Sequence, residues 1–154
     1  MCIRDSFYLV YAEQLLDGVK KKEAYHQTRN ILRSFLLKES IDPLEAMCFE
    51  NLIDEDISLK SEDEIKSAGY VMHCLEASIW SFLNTDSFEE ACLKAVNLGN
   101  DTDTTGAVTG SLAGLYYGLE NIPENWLEVL ARKDEIEKLC DQLDTKYPAY
   151  KTKD

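Results

Sequence analysis

Apolar residues recur at three- and four-residue spacing through most of this chain, and no stretch alternates strictly, so the pattern predicts helices with short polar connections. Residues 7–17 place Tyr8, Tyr11, Ala12 and Leu15 on one face and end at Gly18. A second helix is expected over 21–38, with Ile31, Leu32, Phe35 and Leu36 at core spacing, and a third over about 43–51, where Pro43 stands near the first turn. Residues 54–64 carry charge without an apolar period, which predicts a solvated loop that includes Asp54, Glu55 and Asp56. The helix predicted over 68–83 is rich in core types: Val71, Met72, Leu75, Ala77, Ile79, Trp80 and Phe82. Ser87-Phe88-Glu89-Glu90 has the form of a capping box and opens a helix over 88–97. Later segments are predicted over 124–131, after Pro123, and over 134–144, with Asp134 as cap; from Lys146 the polar tail is expected to fray. The fold class that follows is all-α, a compact helical bundle or part of one, without internal repeat.

The segment from 104 to 119 breaks the usual pattern. Gly106, Gly110, Gly114 and Gly118 recur every four residues, which on a helix makes one nearly bare stripe. Each interior glycine costs roughly 1 kcal/mol of helix propensity relative to alanine, so the stripe predicts another backbone packed closely against it. The uncharged run is shorter than the roughly 20 residues that a membrane span needs, and acidic segments flank it, so it reads as a buried helix.

Immediately before that helix stands Leu98-Gly99-Asn100-Asp101-Thr102-Asp103-Thr104-Thr105-Gly106. Asp101 and Asp103, two residues apart, point to one side of an extended or turning backbone, and the Thr104 hydroxyl can join them from the first helical turn. Carboxylate and hydroxyl oxygens suit Mg²⁺, Mn²⁺ or Ca²⁺ rather than zinc or copper. The same residues read equally as an acidic N-cap, with Gly99 supplying backbone freedom, and for an arbitrary D-x-D-T that structural reading is the commoner one. An EF-hand is excluded. Asp101, Asp103, Thr105 and Gly106 fall on its first ligand positions, but Leu112 stands where the bidentate glutamate belongs.

These residues carry a resemblance. Ile65-Lys66-Ser67-Ala68-Gly69-Tyr70-Val71, Leu75-Glu76-Ala77-Ser78-Ile79-Trp80, Phe88-Glu89-Glu90-Ala91, Ala95 through Gly106, and Ile122-Pro123-Glu124-Asn125-Trp126-Leu127 resemble, in order and spacing, the C-terminal part of the ADP-ribosylglycohydrolase family. That family includes the enzyme that reactivates dinitrogenase reductase and the ADP-ribosyl-acceptor hydrolases. The resemblance implies metal-assisted hydrolysis of the bond between ribose and a protein side chain or small acceptor, on ADP-ribosylated protein or an ADP-ribose derivative. It implies two Mg²⁺ or Mn²⁺ ions, Asp101, Asp103 and Thr104 as ligands, and Asp101 and Asp103 in catalytic roles. Gly99, Asn100 and Tyr70 become candidates for substrate contact. For Tyr70, stacking on a base or ribose competes with the commoner role of a half-buried core aromatic with a wet hydroxyl. In the family a Thr-Asp-Asp element supplies the other half of the site, and this chain contains none: Glu13, Asp17, Asp54, Glu55 and Asp56 stand in no matching context. The resemblance therefore implies roughly the second half of a longer enzyme, inactive alone. Two other readings stay open: a non-catalytic structural member such as a lens crystallin, which should have lost the metal residues, and an inactive truncated fragment that self-associates through apolar surface.

Residues 1–6, Met1-Cys2-Ile3-Arg4-Asp5-Ser6, show neither helical nor strand logic and resemble a translated adapter sequence; they are set aside as a non-native leader. The expected organisation is then 7–146 as part of a single domain and 147–154 as a tail. With 45% hydrophobic and 10% aromatic residues, 154 residues are enough for one core. A formal net charge of −13 argues against nucleic acid and anionic membranes as partners, and an anionic ligand would need a cation or helix N-termini to offset repulsion. Five cysteines, at 2, 48, 74, 92 and 140, form no C-x-x-C and fit reduced thiols in a cytoplasmic setting. His26 and His73 have no partner motif and read as surface or packing residues, and Trp80 and Trp126 as core.

Overall fold

The structure, a computed structural model, describes residues 3–39, 46–47 and 49–147. Among them are eight α-helices and no strand: α1 Ile3–Leu16, α2 Lys21–Lys38, α3 Glu50–Ile53, α4 Val71–Leu83, α5 Phe88–Asn97, α6 Thr102–Tyr117, α7 Glu124–Glu128 and α8 Lys133–Lys146. No helix among the described residues is long and apolar enough to cross a membrane. The chain divides into two units, Met1–Asn121 and Ile122–Asp154.

In the first unit α4 is the central helix, because 11 of its 13 residues are buried, which requires neighbours on every side. Ile79 and Phe82 are fully enclosed, each contributing about 1.5–3 kcal/mol of apolar burial. Residues Phe7 and Tyr11 of α1, Tyr25 of α2 and Phe82 of α4 form a knot of rings with centroids 6.1–6.5 Å apart, mostly edge-on or tilted as their quadrupoles prefer. Burial pushes the Tyr25 phenol up to about 12. Its hydroxyl donates to the Leu52 carbonyl (3.3 Å) and accepts from the Ile57 N–H (3.2 Å), so the ring carries no stranded polar atom.

Helices α4 and α6 run the same way, and α5 returns between them. At their shared C-terminal end the ammonium of Lys21, a residue only 8% exposed, donates to the carbonyls of Phe82 and Thr85 and to the Tyr117 hydroxyl. It lies over the Phe82 and Tyr117 rings and pairs with Asp86, whose side chain is in solvent. A cation there satisfies carbonyls that the ends of helices leave unpaired.

Several boundaries follow the periodicity and several do not. Helices α2 and α5 match their expected limits to the residue. Helix α1 starts at Ile3 rather than at 7, and Ser6 is buried, so residues 3–6 of the segment set aside as a leader are helical here. The buried face of α2 runs over its first two-thirds, at Lys21, Ala24, Tyr25, Thr28 and, as expected, Leu32; Ile31 is exposed and Phe35 and Leu36 are half-buried. The third predicted helix falls partly on 43–45 and 48, outside the described residues, as does the tail from 148. The charged stretch 54–64 contains two 3₁₀ turns, Ile57–Leu59 and Glu62–Glu64, and it buries Ile57, because one apolar side chain suffices to pin a loop without leaving a period. At α5 the Ser87 hydroxyl accepts from the Glu90 N–H (3.1 Å), but the Glu90 carboxylate reaches the N–H of Asp86 (3.0 Å), one residue earlier than a capping box requires.

The glycine stripe meets side chains rather than backbone. A Cβ on Gly106 would lie 3.0 Å from Val96 Cγ1, on Gly110 3.6 Å from Cys92 Sγ, and on Gly114 3.9 Å from Phe88 Cε2. Of the three glycines within the helix only Gly106 is tight enough that a side chain there would have to displace its neighbour. Gly118 is not part of the helix; at φ +83° it ends it.

In the second unit, α7 is shorter than predicted. Helix α8 is preceded by Arg132 in the left-handed region, with Asp134 in the first turn rather than at the cap. Neither helix buries a residue, and Trp126 is half-buried rather than core.

Candidate metal-binding loop

The loop from Leu98 to Asp101 joins the C-terminus of α5 to the N-terminus of α6, and its backbone is unusual at two successive residues. Gly99 has φ +79° and Asn100 φ +56°, a conformation that glycine takes freely and asparagine tolerates. The reversal brings Asp101 to the N-cap of α6, where its carbonyl accepts the first helical bond from the Thr105 N–H (3.1 Å). Its carboxylate does not cap the helix. Instead Asp101 Oδ1 accepts from the Thr104 hydroxyl at 2.8 Å.

Asp103, in the first turn, is exposed, and its Oδ1 accepts from the Thr104 N–H at 2.9 Å. A side-chain hydrogen bond with Asp101 and then that backbone N–H hold the Asp103 carboxyl below the usual carboxylate range. Asp101, Asp103 and Thr104 are thus brought together, within hydrogen-bond reach of one another.

The N-terminus of α4 abuts the same loop. Asp101 donates its N–H to the Ser67 carbonyl (3.1 Å), and a Cβ on Gly69 would lie 3.5 Å from Asp101 Oδ2. Gly99 and Asn100 face Ser67: its hydroxyl donates to the Gly99 carbonyl (3.0 Å), and Asn100 Nδ2 donates back to it at 3.4 Å. Tyr70, the N-cap residue of α4, is 52% exposed and packs edge-on against His73 with ring centroids 5.1 Å apart. At that exposure it is half in solvent and not part of the enclosed core. His73 is half-buried and His26 is largely exposed, with its ring 5.6 Å from that of Tyr25, as packing residues.

A groove of about 750 Å³ opens beside the loop. Val71, Cys74 and Leu75 of α4 form one wall, Ala107 and Val108 of α6 the other, and Asp101 and Thr104 stand at the acidic end. Farther along, Tyr8 of α1 reaches Ser111 of α6 through a 2.8 Å hydroxyl contact. The sequence pattern had not marked Tyr8, Ser111 or Ser67 for this place; a serine 34 residues before Asp101 has no local signature linking it to the loop.

The donor set is all oxygen, which suits a Mg²⁺-like ion. Among the described residues no group of three His, Cys, Asp or Glu side chains gathers, so the oxygen donors brought together here are two carboxylates and a hydroxyl.

Comparison with known proteins gives consistent results. A family model described as ADP-ribosylglycohydrolase matches residues 5–152. The chain is 49% identical over 84 residues to an ADP-ribosylarginine hydrolase of Serratia proteamaculans, a match covering 54% of this chain and 23% of that protein. It is 39% identical over 72 residues to the ADP-ribosyl-[dinitrogen reductase] glycohydrolase of Rhodospirillum rubrum, covering 47% of this chain and 24% of that protein. A solved structure titled as an ADP-ribosylglycohydrolase-related protein complex superposes with a TM-score of 0.68 at 32% identity, over 86% of this chain and 42% of the other. The matched segments span about a quarter of the length of these curated relatives.

Proposed function

Because the chain belongs to the ADP-ribosylglycohydrolase family, we propose that its Asp101–Thr104 loop is one half of a metal-assisted site that releases ADP-ribose from a modified side chain or small acceptor. The observation that carries this reading is the convergence of Asp101, Asp103 and Thr104, two of which, Asp101 and Thr104, line the groove. Two carboxyls held that closely repel unless a proton or a cation stands between them.

The reaction breaks the bond from ribose C1 to the acceptor's nitrogen or oxygen. Water oxygen bonds to C1 and its proton passes to the leaving group. Positive charge grows on the sugar ring in the transition state, and carboxylates nearby stabilise it. Divalent cations, when bound, supply polarisation of the ribose hydroxyls and of water. Asp101 and Asp103 hold that charge in place and one of them orients the water; Thr104 fixes Asp101 through its hydroxyl. The apolar groove walls exclude bulk solvent from one side. An octahedral ion takes six oxygen ligands, of which Asp101, Asp103 and Thr104 would supply three at most, so on this reading the Thr-Asp-Asp element that the resemblance implies, and that this sequence does not contain, supplies others, and no turnover is expected from the chain alone.

The test supplies a family N-terminal half bearing that element and follows ADP-ribose release with Mg²⁺ or Mn²⁺. Activity is expected only with both halves, and Asp103→Ala should reduce it by at least about 100-fold, the range for loss of an electrostatic catalytic group. Unchanged activity in Asp103→Ala rejects the site, and metal-dependent turnover by the chain alone rejects the half-site.

A further inference from the structure

We propose that Ser67 is the positioning residue of the acidic loop, registering Asp101 on the rigid start of α4 so that its carboxylate faces an incoming cation. The inference rests on the half-site reading above and adds a residue that neither the loop motif nor helix capping accounts for.

On its α6 side Asp101 is held by the Thr104 hydroxyl and the Thr105 N–H. On the other side Gly99 and Asn100 are consecutive left-handed residues, and Asn100 leaves that region readily when nothing holds it. Asp101 follows at φ −87°, ψ 67°, outside helical angles, so the approach to it from α5 needs a constraint of its own.

Ser67 supplies the missing constraint. Its hydroxyl donates to the carbonyls of Leu98 (3.2 Å) and Gly99 (3.0 Å), and it accepts from Asn100 Nδ2 (3.4 Å). Its own carbonyl accepts the Asp101 N–H at 3.1 Å. One residue thus holds four consecutive loop residues, 98 to 101, and the hydroxyl uses its single proton and its acceptor capacity in doing so. Ser67 is 3% exposed, so its hydroxyl is committed to the loop rather than to solvent, and it lies four residues before a helix anchored throughout the core. A polar group that orients a ligand carboxylate is expected to act on cation affinity more than on folding.

Alanine at 67 removes the hydroxyl and leaves the carbonyl bond to Asp101. Its loop acceptors, Leu98 and Gly99, belong to half-buried residues that water can reach, so the fold persists while the loop loosens.

The experiment titrates Mn²⁺ into the intact chain and follows free Mn²⁺ by electron paramagnetic resonance and amide broadening by NMR. Broadening centred on residues 101–104 is expected for the unaltered chain. Ser67→Ala should weaken binding about tenfold or more. Ser67→Cys, which fills the same space with a weak donor, should fall between and keeps the test open if alanine unfolds the chain. Ser78→Ala is the control: it deletes another buried hydroxyl, one that donates to the Thr105 carbonyl at 3.2 Å, and should lower the melting temperature without shifting Mn²⁺ affinity. Ser67→Ala binding as tightly as the unaltered chain, or Ser78→Ala weakening binding equally, overturns the positioning role. Absence of any Mn²⁺ effect at 101–104 in the unaltered chain, with the complementing N-terminal half also present, instead overturns the half-site reading, and the role built on it falls for that separate reason.

Discussion

Replacing glycines one at a time along α6 tests whether the stripe is a packing requirement or a gradient of clearance. At Gly114 a new Cβ meets Phe88 at 3.9 Å, an ordinary contact, so Gly114→Ala should stabilise the chain by about 0.5–1 kcal/mol through helix propensity alone. At Gly106 the new Cβ lies 3.0 Å from Val96 Cγ1, which must give by a few tenths of an ångström. Val96 is β-branched in the last turn of α5, where one χ1 rotamer dominates, so it cannot swing aside and the helices must part. Overpacking of that kind costs about 1–3 kcal/mol, which exceeds the propensity gain of roughly 1 kcal/mol, and Gly106→Ala should come out destabilised by up to about 2 kcal/mol. Urea unfolding of both variants should show opposite signs. Val96→Ala removes the obstructing methyl, so the Gly106→Ala/Val96→Ala double variant should recover about 1–2 kcal/mol relative to the sum of the singles. If Gly106→Ala stabilises as much as Gly114→Ala, or if the cycle shows no coupling, the packing argument is wrong.

Further substitutions probe other parts of the first unit. Lys21→Met keeps the buried stem but deletes the charged donors to the Phe82 and Thr85 carbonyls and the Tyr117 hydroxyl; with about 1.5–3 kcal/mol for a charge-assisted bond and Tyr117 still donating to Thr85, denaturant unfolding should show a loss of about 2–4 kcal/mol, and less than about 1 kcal/mol would contradict the helix-end role. Burial raises the Glu76 carboxyl above its usual value, despite a hydrogen bond from Asn51, so the folded state prefers the protonated form. That preference stabilises below the ordinary carboxylate range and is lost as pH rises through the folded value, so Glu76→Gln should gain melting temperature over the parent at pH 7 and lose that advantage near pH 4. A gain that does not change with pH would point to packing. Gly118→Ala places a side chain at φ +83°, and thermal unfolding should register a loss of about 1 kcal/mol or more, unlike Gly114→Ala.

What the sequence revealed tracks how local each determinant is. Helices α2 and α5 were legible to their ends because caps, charges and apolar spacing act within a few residues. The D-x-D-T element was legible as a cation-binding candidate because its donors lie within four positions, and the structure brings them together. The buried face of α2 is only partly legible: Leu32 is core as its spacing implies, but Ile31 and Phe35 have core character without being buried, because the knot of rings from α1 and α4 draws Tyr25 and Thr28 inward instead. Lys21 went unnoticed because a lysine reads as surface, and only the meeting of two helix ends makes its burial favourable. The bare stripe suggested backbone contact, but the side chains of α5 fill the space, a matter of interhelical distance that spacing along one helix does not encode.

The parallel course of α4 and α6 has an electrical consequence for the acidic turn. Each helix presents a positive pole of about half an elementary charge at its first turn; Asp101 and Asp103 stand on that of α6, and Asp101 also stands against the residues leading into α4. Both poles offset part of the negative charge there, which makes the pair bearable in a molecule whose sequence already carries −13. What negative charge is left over is a residual field that favours positive species and that salt will screen over about 10 Å.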